Sequence, residues 1–129
     1  MSLAFLVLVC FLPPVLQVAY SVATGSVSRA RAFSAVFAGL AAVFAASAAQ
    51  LLLDPVTSAV SGVPALVLSS FAEAALVEEL SKLALIAAAC RVARPPEGLP
   101  ARAVMSVALI VGLSFSAFET LSYALGASS

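Results

Sequence analysis

Four apolar stretches dominate this chain, at residues 3–22, 33–53, 63–90 and 103–125. Each approaches or exceeds the ~20 residues a helix needs to cross a hydrocarbon core. No water is present there to satisfy the backbone, so an open chain crosses only as helices that pair their own N–H and C=O groups. The composition, 64% hydrophobic and 9% charged, is more apolar than soluble domains, which are about half apolar. The expectation is an all-α integral membrane protein, a single transmembrane domain over residues 1–129 with four transmembrane helices in a small bundle. Pro13-Pro14 should kink or unwind the first span. Small residues in the second, Gly39, Ala41, Ala42, Ala45, Ala46, Ser47, Ala48 and Ala49, should let helices approach closely.

The connections set the orientation. Residues 24–32 carry Arg29 and Arg31, residues 91–102 carry Arg91, Arg94 and Arg102 against Glu97, and residues 54–62 carry only Asp54. An excess of Lys and Arg marks cytoplasmic loops, so both basic connections are expected inside, and the N- and C-termini outside. No Lys or Arg precedes the first apolar stretch, which therefore reads as an uncleaved span rather than a secretion signal. Localisation in the cell (inner) membrane, as a multi-pass protein surrounded by membrane lipids, follows. Net charge is zero, without a basic tail, and nothing points to nucleic acid. Cys10 and Cys90 belong toward opposite membrane faces and read as small buried residues rather than a disulfide.

The third stretch is energetically anomalous. It contains Glu78-Glu79-Leu80-Ser81-Lys82, with Glu73 earlier in the same stretch. Ionisable groups near a helix centre cost about 2.5–3.5 kcal/mol each, so four ask for on the order of 10 kcal/mol. The large apolar residues of the stretch contribute about half of that. Its carboxylates therefore need partners, a polar cavity or a metal. Glu78 and Lys82, four apart, share a helix face in the favourable order, while Glu79 sits about 100° around. A structural Glu78–Lys82 ion pair, with Glu79 protonated, is one reading of these residues; a functional site is the other.

The fourth stretch adds a second motif. Phe115, Glu119 and Tyr123 recur every four residues and form one stripe, again with an intramembrane acid. The short connection makes spans three and four antiparallel neighbours, so Glu78, Glu79 and Glu119 can share a face. A depth mismatch of one to two turns between Glu78 and Glu119 would need a tilt, or a break near Gly112.

Together, Glu78-Glu79-x-x-Lys82 and Gly112-Leu113-Ser114-Phe115-x-x-x-Glu119-x-x-x-Tyr123 resemble the PrsW family of bacterial intramembrane proteases, related to the type II CAAX prenyl endopeptidases. The resemblance implies a membrane metallopeptidase acting on a membrane-anchored protein substrate. It implies catalytic roles for Glu78, Glu79 and Glu119, charge balance from Lys82, and support of the site by Phe115 and Tyr123. A divalent metal held by Glu79 and Glu119 belongs to the same implication, because a carboxylate beside a bound cation can generate hydroxide near neutral pH.

The chain departs from that pattern at three points. It has no histidine, Thr120 stands where an Asn usually follows the glutamate, and the acidic Pro-containing loop after the first helix is missing. Three carboxylates suit a hard ion such as Mg²⁺ or Mn²⁺ better than zinc, whose catalytic sites typically include His. The chain therefore reads as the front part of such a protease, a truncated or degenerate member. A non-catalytic membrane scaffold is the alternative, and a small proton-coupled transporter is disfavoured because the first span carries no acid.

Overall fold

The computed structural model describes residues 3–92 and 94–126. The side chain of Glu73 falls outside the description, and with it the expectation attached to a fourth charge. The described residues are helical apart from the connections: α1 (Leu3–Ala23), α2 (Arg29–Thr57), α3 (Val63–Val67), a π-helical segment (Leu68–Leu76), α4 (Val77–Arg91) and α5 (Ala101–Gly126). Three of these, α1, α2 and α5, are single helices long and apolar enough to cross a membrane. The third apolar stretch is helical from Val63 to Arg91, but as three consecutive segments rather than one regular helix.

Of the irregularities the sequence offered, neither unwinding at Pro13-Pro14 nor a break at Gly112 occurs. Helix α1 stays helical through Pro13 and Pro14, so the pair does not unwind it. Helix α5 runs unbroken past Gly112. The irregular segment lies instead at Leu68–Leu76, immediately before the paired glutamates. Hydrogen bonds of the i→i+5 type widen a helix there, and such segments concentrate near functional sites.

Local chemistry explains the ends. After α1, Ser26 N–H donates to Ser21 O (2.9 Å) and Gly25 N–H to Val22 O (3.1 Å). This is a Schellman closure, and Gly25 takes the left-handed position at φ 66° that a Cβ would disfavour. Ser28 then caps α2, its side chain accepting from Arg31 N–H at 3.3 Å. Arg31 is buried and its Nε donates to Val92 O at 3.2 Å. Arg102 reaches Thr24 O at 3.4 Å. The two basic connections thus meet at one end of the bundle.

The bundle is organised around α2, which packs against both α4 and α5. Its contact stripe is made of small residues, Ala32, Ala35, Ala38, Ala42 and Ala46, all buried. Gly39 lies within this stripe. A Cβ built there would sit 2.6 Å from Ser114 Cβ, 2.8 Å from Val111 O and 2.9 Å from Phe115 N. The backbone of α2 therefore rests almost directly on α5, the close approach that small residues permit. Above this crossing Phe115, 1% exposed, packs with Ala42 and Ala46; below it Val107, Ile110 and Val111 fill the core toward the basic end.

Candidate functional site

A cavity of about 340 Å³ opens between α2, α4 and α5, on the side of the Gly39 crossing away from the basic connections. Its walls are largely apolar, with Leu40, Val43 and Phe44 from α2 and Phe115 and Phe118 from α5. Two carboxylates enter it, Glu78 from α4 and Glu119 from α5. The separate sequence motifs thus converge on one space. Glu119 also lies within electrostatic reach of Glu78 and Lys82.

The helix phase explains which acid turns inward. Val77, Glu78, Ser81, Lys82, Leu85, Ile86 and Ala89 follow the 3.6-residue repeat and form the less exposed face of α4. Glu79 falls about 100° off that face, and its side chain is 66% exposed. It nevertheless meets Lys82, whose Nζ donates to Glu79 Oε1 at 2.8 Å. The ammonium also lies 4.3 Å from the centroid of the Phe115 ring. The ion pair is therefore Glu79–Lys82, and not the Glu78–Lys82 pair that the i,i+4 spacing suggested. Helix geometry allows either partner, and Lys82 seated on Phe115 takes the outer one.

That choice leaves the inner acids unmatched. Among the described residues neither Glu78 nor Glu119 has a hydrogen bond or an ion pair. The stripe on α5 runs from core to rim: Phe115 is buried, Glu119 half-buried and Tyr123 70% exposed at the cavity edge. Phe118, next to Glu119, is braced edge-on by Phe11 of α1, with ring centroids 5.0 Å apart and planes at 78°. Sequence reasoning missed three polar contributors to the walls, Ser47 and Gln50 on α2 and Ser122 on α5. Gln50 carried a usable signal, an amide inside an otherwise apolar stretch.

The arrangement offers proton-handling groups in a mostly apolar space, with a cation held close by. It does not by itself complete a metal centre. Among the described residues no three His, Cys, Asp or Glu side chains converge, and the sequence contains no histidine. Glu79, one of the two expected metal ligands, has its carboxylate on Lys82 instead of in the cavity.

An all-helical, strongly apolar bundle with three helices long and apolar enough to cross a membrane belongs to the class of multi-pass membrane proteins, and here two acids from different helices line one pocket. Compared with known families, residues 10–129 match the PrsW family intramembrane metalloprotease, and the chain belongs to that family. No curated protein and no solved structure matches it.

Proposed function

We propose that this chain acts as a membrane-embedded peptidase of the PrsW type, hydrolysing a peptide bond of a membrane-anchored protein within or near the bilayer. The observation that carries the reading is the convergence of Glu78 and Glu119, from two separate motifs, on one cavity in which neither has a partner within the described chain. In this reading Glu78 accepts a proton from the attacking water and passes it to the leaving amine as the C–N bond breaks, while Glu119 orients that water. Glu79 and Lys82 form a neutral pair beside the site, and Phe115 holds the ammonium in place. Family membership implies a divalent ion. The donor set present does not complete its shell, so the steps assigned to Glu78 and Glu119 are proton transfer and the orienting of water alone.

The proposed topology has four transmembrane helices, the helical run from Val63 to Arg91 forming one of them, in the cell (inner) membrane. Arg29, Arg31, Arg91, Arg94 and Arg102 share one end, which supports placing that end in the cytoplasm and both termini outside.

The test is cleavage of a membrane-anchored reporter peptide, carrying a fluorophore and quencher, by the full chain reconstituted in phospholipid vesicles. Glu78→Gln and Glu119→Gln should each lower the initial rate by about 10²-fold or more. Glu97→Gln, in the basic connection, should leave it unchanged. Equal cleavage by the native chain and both cavity variants would remove the catalytic assignment. No cleavage by the native chain would favour a non-catalytic membrane scaffold, a reading that the lack of histidine supports.

A further inference from the structure

A second recess lies at the basic end, far from the acidic cavity. It has a volume of about 440 Å³ and is formed by the last turns of α4, the connection that follows and the start of α5. Its floor is apolar, with Leu83 and Ile86 on α4, Leu99 in the connection and Val104 on α5. Its charged side chains are Arg91 and Arg94.

The arginines of this end divide into two kinds. Arg31 and Arg102 are committed to backbone carbonyls, on Val92 and Thr24. Arg91 and Arg94 have no hydrogen bond or ion pair among the described residues, and Glu97, in the same connection, does not line the recess. Two guanidiniums also outweigh the roughly half negative charge at the C-terminus of α4.

We propose that this recess binds one anionic phospholipid, its phosphate on Arg91 and Arg94 and an acyl chain along the apolar floor. The shape of the charge argues for a lipid rather than a free anion. From Arg91 to Leu83 the recess descends eight residues of α4, about 12 Å at 1.5 Å per residue. A soluble phosphate would use the two arginines and leave that floor empty. Guanidinium groups suit the planar, two-pronged recognition of phosphate oxygens. A zwitterionic lipid brings its own cation and gains less from two arginines. Basic pockets between helices at the cytoplasmic surface bind anionic head groups on the same principle. The site depends on the chain lying in a bilayer and not on the peptidase reading, so the two fail independently.

The test uses the full chain in neutral detergent, supplied with equimolar phosphatidylglycerol and phosphatidylcholine, with bound lipid counted by native mass spectrometry. One phosphatidylglycerol per chain should be retained with a preference of about 30-fold, the factor expected from two arginines near the surface. Arg91→Gln with Arg94→Gln should abolish the preference. Arg91→Lys with Arg94→Lys, which keeps the charges, should retain most of it, and so separates lost charge from lost fold. Ile86→Trp, which fills the floor without changing charge, should also release the lipid. Arg102→Gln, at the same end but outside the recess, should not. Equal retention of both lipids by the native chain, or an equal loss in Arg102→Gln, would overturn the proposal. Displacement of the lipid by equimolar glycerol 3-phosphate would overturn it as well, because the floor would then play no part.

Discussion

Gly39→Ala is the substitution to which the site should respond most sharply. The added methyl would be placed 2.6 Å from Ser114 Cβ, against ordinary van der Waals contact at 3.4–4 Å, so α2 and α5 must part by about 1 Å. Nothing nearby can yield cheaply. The three closest atoms are a carbonyl oxygen, an amide nitrogen and a Cβ bonded to the backbone, and no flexible side-chain end is among them. Overpacking of this kind costs about 1–3 kcal/mol. Alanine recovers up to about 1 kcal/mol through its better helix propensity, leaving a net destabilisation of roughly 1 kcal/mol. The larger effect should be functional. Phe115 N lies at the crossing, and Glu119 is one turn further along the same helix. A misplacement of about 1 Å at catalytic groups can lower a rate by about 10²-fold. The assay pairs thermal unfolding in detergent, followed by circular dichroism, with reporter cleavage in vesicles. Gly112→Ala is the control, since no atom lies within 4 Å of its added methyl, and it should match or slightly exceed the native stability. Gly39→Ala with native stability and native rate would refute the close crossing and its role in setting the site.

Ser114 is 1% exposed, and its Oγ has no hydrogen-bond partner among the described residues. Ser114→Ala removes an unsatisfied buried hydroxyl and should raise stability by about 1 kcal/mol, seen as a higher unfolding temperature in detergent. Phe115→Leu keeps much of the apolar volume beside Ala42 and Ala46 but removes the ring face under Lys82. It should cost about 1–2 kcal/mol of stability and lower reporter cleavage more than Tyr123→Phe does, because Tyr123 stands exposed at the rim.

Much of the architecture could be read from the chain because lipid leaves few alternatives. Apolar length gave α1, α2 and α5 with ends close to the expected ones, and the small residues around Gly39 marked the packing stripe of α2. The convergence of Glu78 and Glu119 could be read from two motifs on neighbouring helices. The phase of α4 could not. In a soluble helix the polar face reports which side is buried, but here the outward face, with Leu80 and Leu83, is as apolar as the inward one. Nothing in the spacing therefore decided whether Glu78 or Glu79 faced the cavity, or which of them Lys82 would take. The π-helical segment has no clear signature either, since Leu68–Leu76 is ordinary apolar helical sequence. It lies just before Val77, whereas α5 runs unbroken past Gly112, one of the two places where the depth mismatch could have been absorbed.

The distribution of charge bears on why the acids are there at all. Of the four ionisable groups in and beside the site, Glu79 and Lys82 neutralise one another, with Glu79 exposed and Lys82 turned toward Phe115. That pair lies within one helix turn, so it does not fix the register of α4 against its neighbours. Glu78 and Glu119 are additional to it, and among the described residues they meet no cation or donor at bonding distance. Both carboxyl groups are half-buried at the cavity, where a polar occupant can reach them. Packing cannot explain their presence, because an apolar residue of similar size would stabilise the same walls. A water, an ion or a substrate in the cavity can supply the missing partners, and reporter cleavage decides between a peptidase and a scaffold. The same reasoning makes the two glutamine variants informative beyond activity. Glutamine keeps the size and polarity of the side chain, so Glu78→Gln and Glu119→Gln should lose cleavage while unfolding at the native temperature, which separates a chemical role from a structural one.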